Sequence, residues 1–181
     1  MKNGRLIAVV GPSGVGKDSV MEGLVAADPS LHLVRRTITR APELGGEDYD
    51  AVSVAAFNNM AADGQFSIHW RAHGLQYAIP ASIQAVLARG HDCLANFSRS
   101  ALLAGDAAFD RFCVLNITAS PKTLALRLKA RGREGEEQIA KRLAQAAKPL
   151  PNGLNVLTVN NDGALDATVA QALGLLQPVR A

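Results

Sequence analysis

The chain has 181 residues, 48% of them hydrophobic and 19% charged, which fits one globular domain able to bury roughly 70% of its unfolded surface and excludes a disordered or fibrous chain. Its apolar runs are strand-length, so no membrane span is expected. The net charge of +3 is too modest to mark a nucleic-acid binder.

The opening "MKNGRLIAVVG" passes from a short polar lead straight into a strand, without the apolar stretch and small-residue cleavage site of a secretion signal, so a cytoplasmic location is expected. "RLIAVV", Arg5 to Val10, reads as a strand buried on both faces of a parallel sheet and ends at Gly11. After a glycine-rich loop, "KDSVMEGLVAAD" predicts a helix with Val20, Leu24 and Val25 on its apolar face. Residues 35 to 80 are polar and contain "PELGGEDYD" and "AADGQFSIHWRAHGLQYAIP"; they predict a small insert of short antiparallel strands, with Phe66 and Trp70 in its core. "PASIQAVLARG" predicts a helix opening on a proline, and "HDCLANF", "RFCVLNIT" and "LNVLTVN" predict further buried strands. In "SPKTLALRLKARG", Ser120 is the expected cap and Pro121 the first helical residue. Cys93 and Cys113 fall in two of the strands and read as small core residues. They lack C-x-x-C spacing, and His32, His69, His73 and His91 form no ligand pattern with them.

Strands alternating with helices predict an α/β domain with a parallel sheet flanked by helices. The core covers 1–34 and 81–181, with an insert over about 35–80 and an Arg-rich lid over about 129–142. Right-handed crossovers put the glycine loop at the carboxyl edge of the first strand.

That loop, Gly11, Pro12, Ser13, Gly14, Val15, Gly16 and Lys17, follows the G-x-x-x-x-G-K spacing of a P-loop, between a strand and a helix as the match requires. Glycines let backbone N–H groups wrap phosphates, and the helix N-terminus and Lys17 add positive charge. Asp18 stands where a hydroxyl usually holds Mg²⁺, and Ser19 is one helical step, about 100°, away from that direction. A second cluster, Arg127, Arg131, Arg133 and Arg142, has two readings: a solvated helix face of Glu and Arg pairs, or arginines that close over a nucleotide and neutralise the transferring group. Beside a P-loop the second is expected. In the third cluster, Arg35, Arg36 and Arg40 lie close to Tyr49 and Tyr77. Arginines suit bidentate phosphate contact, the other reading being an exposed basic strand.

These motifs resemble the guanylate kinase family of P-loop kinases along nearly the whole chain. "GPSGVGK" is similar to that family's loop, "TITRAP" with "GEDYD" to its acceptor signature, "FNNMAADGQF" and "HGLQYAIP" to its insert, "LRLKARGRE" to its lid, and "VNNDGALDATV" to its closing strand and helix. The resemblance implies a P-loop NTPase fold, ATP and Mg²⁺, a small-molecule phosphate acceptor, a monomer or homodimer, and Asn160 near the adenine. The groups expected to hydrogen-bond guanine are replaced by Ile68 and Ile79, and Glu43 stands for a second phosphate-binding arginine. Losing such partners costs a base-reading site about 10⁴-fold. "RxITR", "WxAHGLxY" and "ANFSR" resemble instead the branch of the family that acts on ribose 1,5-bisphosphate, forming 5-phosphoribosyl 1-diphosphate in phosphonate breakdown. The resemblance then gives the acceptor Arg35, Arg36, Arg40, Tyr49, Tyr77, Asn96 and Arg99. Two alternatives stand beside it: a nucleoside monophosphate kinase of altered base choice, and a non-catalytic guanylate-kinase-like binding module, which could dispense with Lys17 and the glycines. Where guanylate kinases carry aspartates this chain has Ala95 and Asn96, so Asp18 is expected to ligate Mg²⁺. Its other reading is favourable charge at a helix N-terminus, worth a few tenths to about 1 kcal/mol.

Overall fold

The structure is a computed structural model and describes residues 3–41, 47–132, 135–146 and 148–177. Strand β1 (Leu6–Val10) is buried along its whole length because it lies at the centre of a five-stranded parallel sheet. With β2 (His32–Leu33), β7 (Cys93–Asn96), β8 (Phe112–Thr118) and β9 (Val156–Asn160), the order is β2-β7-β1-β8-β9. Leu6 is in register with Cys93 on one side and Phe112 on the other.

An uninterrupted apolar run is what a strand covered on both faces needs, and two core clusters result. On one face Ile7, Val9, Leu115 and Ile117 pack against α1 (Lys17–Ala27) and α7 (Leu165–Leu176). On the other, Leu6, Ala8 and Val10 pack with Ile83 and Leu87 of α3 (Ile83–Ala88) and Leu102 of α4 (Leu102–Ala108). The α1 face is made by Val20, Met21 and Leu24, and Val25, partly buried, packs against the same cluster as expected. Cys93 and Cys113 are free and buried, and burial pushes both thiols up to about 11.

Helix α5 (Pro121–Arg131) starts as its sequence dictates. Ser120 Oγ accepts from the Thr123 N–H at 3.2 Å, Pro121 opens the first turn, and Gly132 ends the helix in the left-handed conformation. Helix α6 (Glu136–Ala146) follows. The α3 helix is shorter than expected, because Pro80 closes a strand instead of opening the helix.

The insert forms its own four-stranded sheet from β3 (Arg36–Ile38), β4 (Tyr49–Ala51), β5 (Phe66–Ala72) and β6 (Leu75–Pro80), in the order β4-β3-β6-β5. Its strands were expected to be antiparallel throughout. β6 does pair antiparallel with both β3 and β5, but β4 runs parallel to β3, with Arg36 opposite Tyr49. The long connection between Ile38 and Tyr49 permits this, since a parallel partner cannot be reached through a tight hairpin. The insert also holds α2 (Val54–Ala62), which the sequence reading did not anticipate. Ser53 Oγ caps it by accepting from Ala56 N–H at 3.1 Å, and its Phe57 packs 4.8 Å from Phe66. Trp70 joins insert to core. Its ring stacks between Tyr77 (5.7 Å) and Phe97 (5.0 Å), and its Nε1–H donates to Ser98 Oγ at 2.9 Å.

Candidate active site

The glycine loop leaves the carboxyl end of β1 and enters α1. Gly16 has φ +92, and a Cβ there would lie 2.9 Å from Asn161 Nδ2; a Cβ on Gly11 would lie 2.5 Å from the Ile117 carbonyl oxygen. Both positions therefore need glycine, one for its conformation and both for space. No side chain caps α1, which leaves its first-turn N–H groups and the positive end of its dipole for an anion. Lys17 Nζ donates to the Gly11 carbonyl at 3.0 Å, so the ammonium is folded over the loop.

The loop is braced from behind. The Val15 carbonyl accepts from Asn161 Nδ2 at 2.8 Å and from Arg127 Nη1 at 3.2 Å. Arg127 Nη2 donates to the Asn161 carbonyl at 2.8 Å, and Thr168 Oγ1 to Asn161 Oδ1 at 2.8 Å. Arg127, expected beside the nucleotide, thus donates to two backbone carbonyls of the segments that frame the loop. Asn160, expected near the adenine, is exposed at the end of β9 and donates to Asp162 Oδ2 at 2.9 Å. Its neighbour Asn161, buried and central to the brace, was missed. The available signal was an Asn pair ending an apolar strand, which does not say which Asn turns inward. Asp162 ties this segment to α5 by accepting from the Ser120 N–H at 2.7 Å. That bond, with others from Asn160 and Thr123, holds its carboxyl down at about 2.

In front of the loop lies a cavity of about 990 Å³. The loop contributes Gly11, Pro12, Ser13 and Lys17, and the insert contributes Arg36, Arg40 and Tyr77. The end of β7 adds Asn96 and the short 3-10 turn after it Arg99, and α6 and the residues after it add Lys141, Arg142 and Lys148. No Asp or Glu is among the described lining residues. Cations from four parts of the chain meet in one concave site, a field suited to phosphates.

The expected acceptor arginines differ from one another in their placement. Arg40 lines the cavity. Its Nε donates to Tyr49 OH at 3.1 Å, its guanidinium lies 4.4 Å over the Tyr49 ring, and Tyr49 OH donates to the Ala41 carbonyl at 2.6 Å. Tyr49 itself does not line the cavity and acts on it by aiming Arg40. Arg36 also lines the cavity, but its charge is matched: Nε and Nη2 donate to the two carboxylate oxygens of Glu47 at 2.6 and 2.5 Å. Only 7% of its side chain is exposed, its guanidinium lies 4.9 Å over Tyr77, and Asn96 Nδ2 also donates to Glu47 Oε2 at 3.2 Å. Glu47 was not anticipated as part of the site. Arg35 is on the exposed edge, paired with Asp50 at 2.9 Å and Asp48 at 3.4 Å, and does not reach the cavity; adjacent strand residues point to opposite faces.

On the lid side, Arg142 Nη1 donates to Ser13 Oγ of the loop. Arg99 Nη1 donates to the Lys148 carbonyl at 2.6 Å, and burial lowers the guanidinium's pKa. The Arg131 side chain, Arg133 and Glu43 lie outside the described residues. Gly14, Val15, Gly16, Asp18 and Ser19 form the back of the loop and the first turn of α1, Asp18 half-buried and Ser19 exposed. Among the described residues no three His, Cys, Asp or Glu gather as a metal cluster. Asp18, a single carboxylate in the first turn of α1 beside the loop, is a ligand of the kind Mg²⁺ takes when phosphates and water supply its remaining oxygens.

A P-loop at the carboxyl edge of a parallel sheet, facing a cationic cavity onto which an Arg-bearing helix folds, defines a P-loop phosphotransferase. The guanylate kinase pattern matches residues 3–176, and the chain belongs to the guanylate kinase family. It is 50% identical over 98% of its length to the ribose 1,5-bisphosphate phosphokinase PhnN of Ruegeria sp. (strain TM1040), covering 94% of that protein. To the protein of the same name from Agrobacterium fabrum it is 42% identical, over 95% of this chain and 96% of that one. A guanylate kinase from Anaplasma phagocytophilum has a similar solved structure: TM-score 0.72 over 97% of this chain and 85% of that one, at 16% identity. The chain is thus a kinase, and no described helix is long and apolar enough to cross a membrane.

Proposed function

We propose that this kinase transfers the γ-phosphate of ATP to the 1-phosphate of ribose 1,5-bisphosphate, giving 5-phosphoribosyl 1-diphosphate and ADP. The observation that carries this reading is an acceptor side rich in cations and poor in base-reading groups. Ile79 is fully buried and Ile68 packs against the same core, so neither can pair with a purine edge, while Arg40 and Tyr77 face the cavity. The relatives named for this activity support it.

The acceptor atom is a phosphate oxygen, so no general base is needed, and the work is positioning plus charge neutralisation. The loop N–H groups and Lys17 hold the β- and γ-phosphates. Arg40, aimed by Tyr49, and Tyr77 hold the accepting phosphate in line with them. Arg142, with Arg131 and Arg133 of the same segment, closes from the lid and offsets charge on the transferring group. Asp18 is the residue that would hold Mg²⁺, which would supply charge neutralisation at the phosphates. On this reading the chain works in the cytoplasm, as a monomer or homodimer, in phosphonate breakdown.

The test is ADP release from MgATP with ribose 1,5-bisphosphate, ribose 5-phosphate, GMP and AMP as acceptors. Efficient transfer to the bisphosphate is expected, weak transfer to ribose 5-phosphate, which lacks the accepting phosphate, and little to GMP. Faster turnover of GMP would restore a guanylate kinase reading, and failure to bind MgATP would leave a binding module.

A further inference from the structure

Strands β5 and β6 are joined by a two-residue turn, His73 and Gly74, with φ +51 and +75, between the paired residues Ala72 and Leu75. Two positive φ values in a two-residue hairpin are the type I′ geometry, for which Asn-Gly, Asp-Gly or Gly-Gly are the favoured sequences. His73 is the one non-glycine residue with positive φ among the described residues. The turn alone does not call for an imidazole, and a strained residue of this kind points to a function for its side chain. His73 lines the cationic cavity, as do Ala72 and Arg71.

The hairpin tip is placed for an acceptor with two phosphates. Thr39 and Gln76 exchange hydrogen bonds (Thr39 N–H to the Gln76 carbonyl at 3.0 Å, Gln76 N–H to Thr39 Oγ1 at 2.9 Å), and Gln76 is paired with Arg71 on its other side. Arg40, next after Thr39, and the turn therefore flank β6 at the same end of the sheet, about two strand spacings or ~10 Å apart. That separation leaves room for a pentose held between two phosphates. The two ends differ in how they are held. Arg40 is fixed by a hydrogen bond and a ring, as alignment for reaction requires. Arg71 and His73 are exposed and suited to affinity. Arg36 cannot supply the second cation, because Glu47 matches its charge.

We propose that His73 and Arg71 form the subsite for the acceptor's second, non-transferred phosphate, the 5-phosphate of ribose 1,5-bisphosphate; the inference rests on the reaction proposed above. His73 donates a ring N–H and Arg71 its guanidinium.

The test is the double variant Arg71→Gln/His73→Asn, in which Asn-Gly keeps the turn, assayed by ADP release with ribose 1,5-bisphosphate and with ribose 1-phosphate. With the bisphosphate, KM rises ~10- to 100-fold, the weight of one or two charge-assisted hydrogen bonds, while kcat and the KM for ATP stay near wild type. With ribose 1-phosphate, kcat/KM is unchanged, because the missing phosphate has no subsite to lose. Equal losses with both acceptors, or an unchanged bisphosphate KM in a variant that melts like wild type, overturn the inference. Wild-type protein that turns over neither sugar phosphate refutes the parent reaction as well, and is seen before any variant is made.

Discussion

Replacing Asn161 by Ala asks whether the phosphate loop is shaped from behind. The substitution removes two hydrogen bonds of 2.8 Å, one to the Val15 carbonyl and one from Thr168 Oγ1. Neither partner is left bare: Val15 keeps Arg127 Nη1 at 3.2 Å, and the Thr168 hydroxyl still reaches the Asn160 and Ala164 carbonyls at 3.3 and 3.4 Å. The loss is then that of two net hydrogen bonds, about 1–3 kcal/mol, without the larger penalty of a stranded buried group. In a chain of this size each kcal/mol moves the melting temperature by about 2–4 °C, so Tm should fall by roughly 2–12 °C. The freed space lies beside Gly16, so the loop loosens where phosphates bind, and KM for ATP should rise more than KM for the acceptor. Asn161→Asp sets a carboxylate oxygen against the Val15 carbonyl and should be more damaging on both measures. Differential scanning fluorimetry and steady-state kinetics read the two effects. An Asn161→Ala protein with Tm within about 1 °C of wild type and unchanged ATP kinetics would refute the brace.

Lys17→Ala removes a cation set over the loop and should lower turnover by about 10²–10³-fold with the fold intact; near-normal turnover in folded protein would remove Lys17 from catalysis. If Asp18 holds Mg²⁺, Asp18→Ala should need more Mg²⁺ for half-maximal rate and Asp18→Lys should be inactive at any Mg²⁺; an unchanged Mg²⁺ titration in Asp18→Ala leaves only the helix-end role. Asp162 is held down at about 2, chiefly by the Ser120 N–H. A folded carboxyl below its unfolded value of about 3.9 contributes stability above that pH, lost as pH falls through about 2. The melting advantage of wild type over Asp162→Asn should therefore be present at pH 7 and shrink between about pH 4 and pH 2; a gap independent of pH would contradict the Ser120 contact.

The features legible in the sequence are local ones. An apolar run, a fixed glycine spacing, a lysine and an amphipathic stretch are enough to signal β1, the loop and α1, because the three follow one another in the chain and each carries its own local pattern. The Ser120–Pro121 start of α5 was legible for the same reason, and the buried parallel strands because full burial leaves no alternation to confuse them. The partners of the charged side chains are decided only by tertiary structure. Arg127 and Arg36 look alike in the sequence, yet one donates to a carbonyl 112 residues away and the other to a carboxylate 11 residues on. A long flexible side chain takes whichever partner folding brings within reach, so its type gives its chemistry and not its target. The same holds for Asn161 over Asn160 and for the parallel pairing of β4. His73 reaches the cavity only because β5 and β6 pair in the register that sets it at their turn.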